Sequence, residues 1–584
     1  MLDSRRLGSG ALALWLLPAL LWVLQVAGHA APLWLSRTLA VAAGLASAAW
    51  AAAWVRRAWR RPEGPLFAAV LVLALAFGFA GLGHEVGQGY YTDEGHYLHH
   101  AREVNAGEPF TRSFVYPHLT YYLGAFALWL AELFAAPVAW LARTLYGVDD
   151  APAVPWLVLR WVTAALGALT VVPVFLLARR LAGPPAAGLA GALLVFSVHY
   201  QDGFQVNTCD VPSAFFATVC MALVGRLLEG ESTRNYLLAG VASGLAAAAK
   251  YPAGVVAVAI LAVWAVHRVA SRRWEWGLPW AALASLGTFL ALHPSLFVHP
   301  EAALFGPRGI LFGVRQYAGG GWVGVQPASN ALYYAGQLLA DFRWPAVALA
   351  LAGLFALHRP PGGIEGGILQ GGVRRRLLVL APFPVAFLAL IGSMSMVVLR
   401  NLFPVIPTLA VFMGVAAAGL IRLAARWPRR RRLAAAAVAA VALAWPAAAA
   451  VRQTVALTRP STRNVMAAWI RDHVPPGAGI LKESYTPDFA PHEYLTLERR
   501  FAFRIPEEGY ADPRFDYLLV AGSAYWRWLR PENADKPQGD WYRRAFATHR
   551  LVHRVEPGGW RRGPELRLYQ LAERPARDSA ELVP

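Results

Sequence analysis

Residues 155–183 read PWLVLRWVTAALGALTVVPVFLLARRLAG. Up to Ala178 the run carries a single charge, Arg160, and it exceeds the roughly 20 apolar residues that cross the hydrocarbon core of a bilayer. The Arg179 and Arg180 that follow are the kind of basic stop that marks the cytoplasmic end of a span. The same pattern recurs on both sides of this stretch. Apolar runs at 11–28, 34–55, 66–83, 155–178, 186–204, 211–225, 236–249, 252–267, 277–298, 345–357, 377–396, 402–421 and 433–450 give about thirteen candidate spans. Of the 584 residues 57% are hydrophobic and 15% charged, with mean hydropathy +0.40, which excludes a purely soluble enzyme.

The net charge of +19 follows the same topology. Basic clusters at 5–6, 56–61, 179–180, 226, 268–273, 374–376 and 422–432 sit at the ends of spans, all on one side if the N-terminus is cytoplasmic. A nucleic-acid surface would gather them on one soluble face, so no nucleic-acid partner is expected. The first apolar run is followed by HAAPLW (29–34), a poor cleavage site, and is read as a retained helix. Cys209 and Cys220 are too few for a disulfide framework and are expected as unpaired thiols. These features predict a multi-pass protein of the cytoplasmic membrane whose C-terminal domain lies outside.

Residues 119–146 are apolar enough to cross, but a single crossing there would reverse the Arg179–Arg180 end. They are expected instead as interfacial helices, interrupted near Pro137, in a first outer loop at 84–154. A second large outer loop is expected at 299–344, and the glycine-rich stretch 360–372 reads as a flexible cytoplasmic loop. The membrane domain is thus placed at 1–450. From Val451 hydropathy falls, and STRNVMAAWIRDHVPPG (461–477) reads as a helix capped by Ser461 or Thr462. GILKESY, DYLLVAG and ELRLYQL read as strands of a small α/β domain at 451–584. The predicted fold class is therefore a polytopic α-helical membrane protein with an outer α/β domain.

Charged residues at the outer ends of spans are where chemistry is sought. GYYTDEGHYLHHAREVNAG (89–107) sets Asp93 beside Glu94 at the start of a helix, where Thr92 or Asp93 could be a cap and Asp93 could equally be a general base. Asp210 opens an apolar helix at what reads as the same depth, again as a cap or as a second acid. Lys250 and Tyr251 break an apolar run too long for one span, and the lysine either snorkels to water or meets the phosphate of an amphiphile. Arg400 occupies an equivalent depth on another pair of helices. Asp93, His96 and His100 share a helical face with His99 beside them, so a divalent metal is conceivable, with His96 and His100 as candidate ligands.

In order along the chain stand the Asp-Glu pair, the aromatic-Pro step Tyr116-Pro117, Asp210, the Lys-Tyr-Pro break and the Arg-x-x-x-Pro-x-x-Pro helix at Arg400. This order resembles the GT-C superfamily of membrane glycosyltransferases, specifically family 39 with its protein O-mannosyltransferases and the related lipid A aminoarabinose transferases. The resemblance spans residues 66–525 and implies Asp93 as catalytic carboxylate, supported by Glu94. It implies Asp210 and His118 as acceptor- or metal-positioning residues, and Lys250, Tyr251, Arg400 and Arg160 near the phosphate of a lipid-linked donor. Here Tyr116-Pro117-His118 replaces the Lys-Pro-Pro or Glu-Lys-Pro of many relatives, and Asn401 follows Arg400 in place of tyrosine.

What the resemblance implies is a polyprenyl-phosphate sugar as donor, the bilayer as partner, a lipid, glycan or protein hydroxyl as acceptor, and a divalent metal as an optional cofactor. Such a donor already carries a good leaving group, so one base and phosphate-facing cations suffice, and the single displacement inverts the anomeric centre. A secondary transporter or flippase of an anionic amphiphile is the alternative, because broken helices and intramembrane charges are also its features. A third reading is an assembly partner with a degenerate site.

Overall fold

The computed structural model describes residues 62–88, 90–108, 113–319, 327, 329–356, 372–424 and 428–571. The expected spans 11–28 and 34–55 lie outside the described residues, as does nearly all of the glycine-rich loop 360–372.

Among the described residues four helices are long and apolar enough to cross a membrane, and the bent pair Leu119–Leu133 and Ala135–Tyr146 would make a fifth. Gly64–Phe79, Gly277–Ala291 and Arg376–Gly392 are shorter apolar helices. The decisive stretch forms Val154–Leu169 and Val171–Val195, which run on from one another. A break falls inside the second at Ala182 and Gly183, where glycine takes φ 82° and two prolines follow. Arg179 pairs with Glu63 at one end of Gly64–Phe79, while Phe196 packs on Phe77 at the other, so the chain turns back at Gly183. The two runs expected at 155–178 and 186–204 are thus the arms of a hairpin.

Small residues set the helix spacing, as expected where apolar surroundings supply no hydrophobic driving force. A Cβ on Gly414 would stand 2.5 Å from the backbone nitrogen of Ala190, and one on Gly240 2.2 Å from the carbonyl of Ala281. Lys250 breaks the chain between Thr233–Ala249 and a short 3-10 stretch, Tyr251–Val256, as its sequence context predicts.

Three boundaries differ from expectation. The bend in the 119–146 region is 101° and falls at Phe134, not at Pro137. Pro137 sits in the first turn of the second helix, where the missing N–H would have had no intrahelical partner. The outer loop expected at 299–344 already contains the start of the helix Asn330–Ala356, which is kinked at Arg343 (φ 64°) just before Pro345. The helix Arg429–Ala456 runs past residue 450, so the C-terminal domain begins nearer Ser461 than Val451.

That domain opens with the helix Thr462–His473, capped by the Ser461 hydroxyl, which accepts from the Asn464 N–H at 3.2 Å. Its sheet has strands β1 (Gly479–Glu483), β2 (Leu495–Arg499), β3 (Tyr517–Ala521), β4 (Arg550–Val555) and β5 (Leu566–Gln570) in the order β2-β1-β3-β5-β4. β1 runs parallel to β2 and β3, while β5 is antiparallel to β3 and β4. Side chains alternate across the sheet. Ile480, Leu519 and Leu568 meet Met466 and Ile470 on one face, while Leu481, Leu518 and Tyr569 meet Tyr525 and Tyr542 on the other.

The domain is clamped to the helical bundle. Arg463 holds the Glu85 carboxylate at 2.9 and 3.1 Å, stacks over the Tyr90 ring at 4.5 Å and donates to the Tyr485 carbonyl. Arg562 and Gln453 converge on Asp202.

Glu483 is buried at the end of β1, where it accepts from the N–H groups of Ala502 and Ala521 and from the Tyr542 hydroxyl. Burial outweighs these donors and pushes its carboxyl up to about 7. Because the folded value lies above the unfolded one, this group's stabilising contribution is complete below about pH 4.5 and is lost as pH rises through about 7. In the full-length protein, hydrogen-exchange protection of the β1 and β3 amides, corrected for intrinsic rate, should fall between pH 5 and pH 8. Glu483→Gln should flatten that slope, and an unchanged slope would assign it to another group.

Candidate active site

Asp93 is the second residue of the helix Thr92–Asn105. It does not cap the helix, since Tyr91 is the N-cap and no side chain bonds there. The Asp93 carboxylate, about one-third exposed at 32%, is instead paired with Arg400 Nη1. Arg400 belongs to the 3-10 turn Leu399–Leu402, which leads into Ile406–Ala424. Its Nε lies 3.9 Å from the second carboxylate, Asp210 Oδ2.

Asp210 begins the helix Asp210–Leu227 with Cys209 as N-cap, so its carboxylate is not a cap either. It faces Lys250 Nζ at 2.6 Å, and the same ammonium donates to Asn401 Oδ1 at 3.1 Å. Asn401 Nδ2 then donates to the Tyr334 hydroxyl and to the Met396 carbonyl, both at 3.2 Å. Two acids and two cations from four separate elements therefore form one chain: Asp93, Arg400, Asp210, Lys250. The sequence reading had Lys250 snorkel to water or meet a phosphate, and placed Arg400 at an equivalent depth. In the structure each already faces a carboxylate, because a bare charge at this depth costs more than a paired one.

Glu94 supports the site from beside Asp93, while Arg160 has a different place from the one expected. Arg160 is fully buried and grips Glu94 with Nε and Nη2 at 2.8 and 2.7 Å. Its Nη1 donates to the carbonyls of Leu82 and His84. Glu94 also accepts from the Asn207 N–H at 2.9 Å. Four of its five N–H groups are engaged and the side chain is fully enclosed, so Arg160 is turned to Glu94 and not to a surface a phosphate could reach. The pair is a clasp that holds the segment before Asp93 against Val154–Leu169 and the turn before Asp210.

His118 and Tyr251 shape the loop between them. His118 is fully buried, its ring stacked against Tyr121 and His293, and its backbone N–H donates to His293 Nε2 at 3.3 Å. Burial and the neighbouring His293 push its imidazole down to about 3, so it is neutral at physiological pH. The Tyr251 hydroxyl donates to the Phe114 carbonyl at 2.9 Å.

The metal set drawn from positions 93, 96 and 100 does not converge. Asp93 turns to Arg400, His96 Nε2 pairs with the Tyr121 hydroxyl at 2.7 Å, and His100 Nδ1 pairs with Glu103 at 2.6 Å. Cys209 and Cys220 are free and buried. A small apolar crevice lies among residues including Ala74, Phe77, Gly167 and Phe204, and none of the four charged residues lines it.

Sequence reasoning missed Asn401 as a ligand of Lys250, His293 as the partner of His118, and the Glu85–Arg463 clamp. Asn401 carried a signal in its departure from tyrosine, and His293 in its His-Pro step at the end of a span. Glu85 carried none.

Residues 134–297 match the family model of dolichyl-phosphate-mannose-protein mannosyltransferase, which bears out over that stretch the resemblance read from the sequence. The matched stretch holds Arg160, Asp210, Lys250, Tyr251 and His293, but neither Asp93 nor Arg400. Among solved structures the chain is similar to ArnT from Cupriavidus metallidurans bound to undecaprenyl phosphate, at 16% identity and TM-score 0.47, covering 89% of this chain and 98% of that one. It is also similar to the archaeal oligosaccharyltransferase AglB from Archaeoglobus fulgidus in complex with an inhibitory peptide and a dolichol-phosphate, at 12% identity and TM-score 0.48, covering 82% and 72%. No curated protein matches the chain.

The clasp yields a test of its own. Arg160→Met leaves Glu94 buried and unpaired and should cost about 3–5 kcal/mol, whereas the double change with Glu94→Met should recover much of it. Thermal unfolding of the detergent-solubilised protein reads both. A single variant with an unchanged midpoint would remove the clasp assignment.

Proposed function

We propose that the chain is an inverting glycosyltransferase, moving a sugar from a polyprenyl-phosphate donor to a hydroxyl of a lipid, glycan or protein acceptor at the outer face of the cytoplasmic membrane. The observation that carries this reading is the chain from Asp93 through Arg400 and Asp210 to Lys250, in which the most exposed acid faces the more exposed cation. The family match over 134–297 supports the donor class. In this orientation the N-terminus is cytoplasmic and the C-terminal domain is extracytoplasmic.

Exchange of ion-pair partners is the step these residues are suited to. A donor phosphate entering between Arg400 and Lys250 offers the guanidinium a doubly ligating anion, the geometry that arginine favours. Asp93 is thereby released from its partner and becomes free to accept the acceptor's hydroxyl proton. The acceptor oxygen then attacks the anomeric carbon from the face opposite the phosphate, and the bond from that carbon to the phosphate oxygen breaks. The proton passes to Asp93, and the electron pair leaves with polyprenyl phosphate. Arg400 and Lys250 stabilise the charge that grows on the leaving oxygen.

Asp210 has a supporting part. It is 2% exposed and bound to Lys250, so it positions the ammonium and keeps the buried cluster neutral. Glu94 and Arg160 aim the helix that carries Asp93, and His118 and Tyr251 hold the loop above it. No step needs a nucleotide or a general acid.

Transfer of labelled sugar from a panel of polyprenyl-phosphate donors in proteoliposomes tests this reading. Asp93→Asn should lower turnover by about 10²–10⁴-fold, the range of a lost general base. Lys250→Ala should also lower turnover, with a fall in donor affinity. Full activity in Asp93→Asn would remove the base assignment while leaving the enzyme class intact. Donor left unconsumed while a solute gradient collapses would instead make the protein a transporter.

A further inference from the structure

The helix Thr92–Asn105 carries His96, His99, His100 and Glu103 at relative positions i, i+3, i+4 and i+7, one stripe along its surface. Glu103 stands between the two adjacent histidines. His99 Nε2 lies 3.2 Å from one carboxylate oxygen and His100 Nδ1 lies 2.6 Å from the other. The three ligand atoms all fall within 4.8 Å of one another. Donors bonded to one tetrahedral ion at about 2.0–2.2 Å stand roughly 3.3–3.6 Å apart, so small side-chain adjustments bring the set onto a common centre.

Two further observations separate this group from a chance surface pairing. The His100 ring is held from outside the group, against Tyr121 at 4.8 Å and His96 at 4.4 Å, and His96 is itself fixed by the Tyr121 hydroxyl. This packing fixes the orientation of the His100 ring before any ion arrives. Exposure is also graded, with the His100 side chain 7% exposed, Glu103 31% and His99 67%, so the group is anchored at one end and open at the other.

We infer that His99, His100 and Glu103 form a binding site for one divalent transition-metal ion, with two imidazoles and a carboxylate as ligands and an open position on the His99 side. This donor set suits zinc, while magnesium and calcium prefer oxygen ligands. The site is distinct from the Asp93 cluster. His99 follows Asp93 by six residues, about 9 Å along the helix axis, so a bound ion would pin the same helix without touching the proposed base. The inference does not depend on the glycosyl-transfer reading.

Full-length protein in lipid nanodiscs, stripped with chelator, should bind one equivalent of Zn²⁺ by calorimetry. It should take up Co²⁺ with the visible absorption of a four-coordinate centre, and Mg²⁺ should not compete. His99→Ala is exposed and leaves the fold intact, as its thermal midpoint without metal will verify, and it should weaken Zn²⁺ by more than about 100-fold. Glu103→Gln should do the same. Absence of a stoichiometric Zn²⁺ site, or equal affinity in wild type, His99→Ala and Glu103→Gln, overturns the inference.

Discussion

The buried pair of Glu94 and Arg160 is the interaction on which the geometry of the charged end depends. Separated by 66 residues, the two side chains join the start of the Thr92–Asn105 helix to Val154–Leu169. The carboxylate reaches further to Asn207, and the guanidinium to the carbonyls of Leu82 and His84. A buried ion pair earns its place only when its remaining donors and acceptors are satisfied, and here they largely are. Asp93 is the residue before Glu94, so the direction of its carboxylate follows from the clasp.

A second buried pair extends that order into the C-terminal domain. Glu85 adjoins His84, whose carbonyl Arg160 holds, and its own carboxylate is held by Arg463 across 378 residues of chain. Glu85 sits at φ 52°, in the left-handed region, a conformation that an ordinary side chain adopts only when its surroundings demand it. The segment leading to Asp93 is therefore fastened from the bundle on one side and from the α/β domain on the other. The tail is part of the scaffold of the charged cluster and not a separate module on a linker.

The cluster itself balances two negative groups against two positive ones. In a partly desolvated position this is the arrangement with least cost, and it is unevenly enclosed, because Arg400 and Asp93 are each about one-third exposed while Lys250 and Asp210 are nearly enclosed. In the proposed reaction the exchange of partners falls to the exposed half. That division follows from the placement of Asp210 and Lys250 at a helix start and a helix break packed together, with Arg400 on a turn at the rim.

Local patterns were legible in the sequence because they rest on local physics. The apolar runs, the break at Lys250, the Ser461 cap and strands β1, β3 and β5 all follow from composition, periodicity or capping within a few residues. Strands β2 and β4 escaped notice, since both are mostly exposed and lack an apolar run. The candidate residues were also visible as charges at the ends of apolar helices. Their partners were not, because Asp93 meets Arg400 across 307 residues and Lys250 meets Asn401 across 151. Hydropathy determines which segments leave water, but a charge taken out of water must find its counter-charge in three dimensions. For that physical reason only the tertiary structure decided that Arg160 locks Glu94 and that Arg400 faces Asp93.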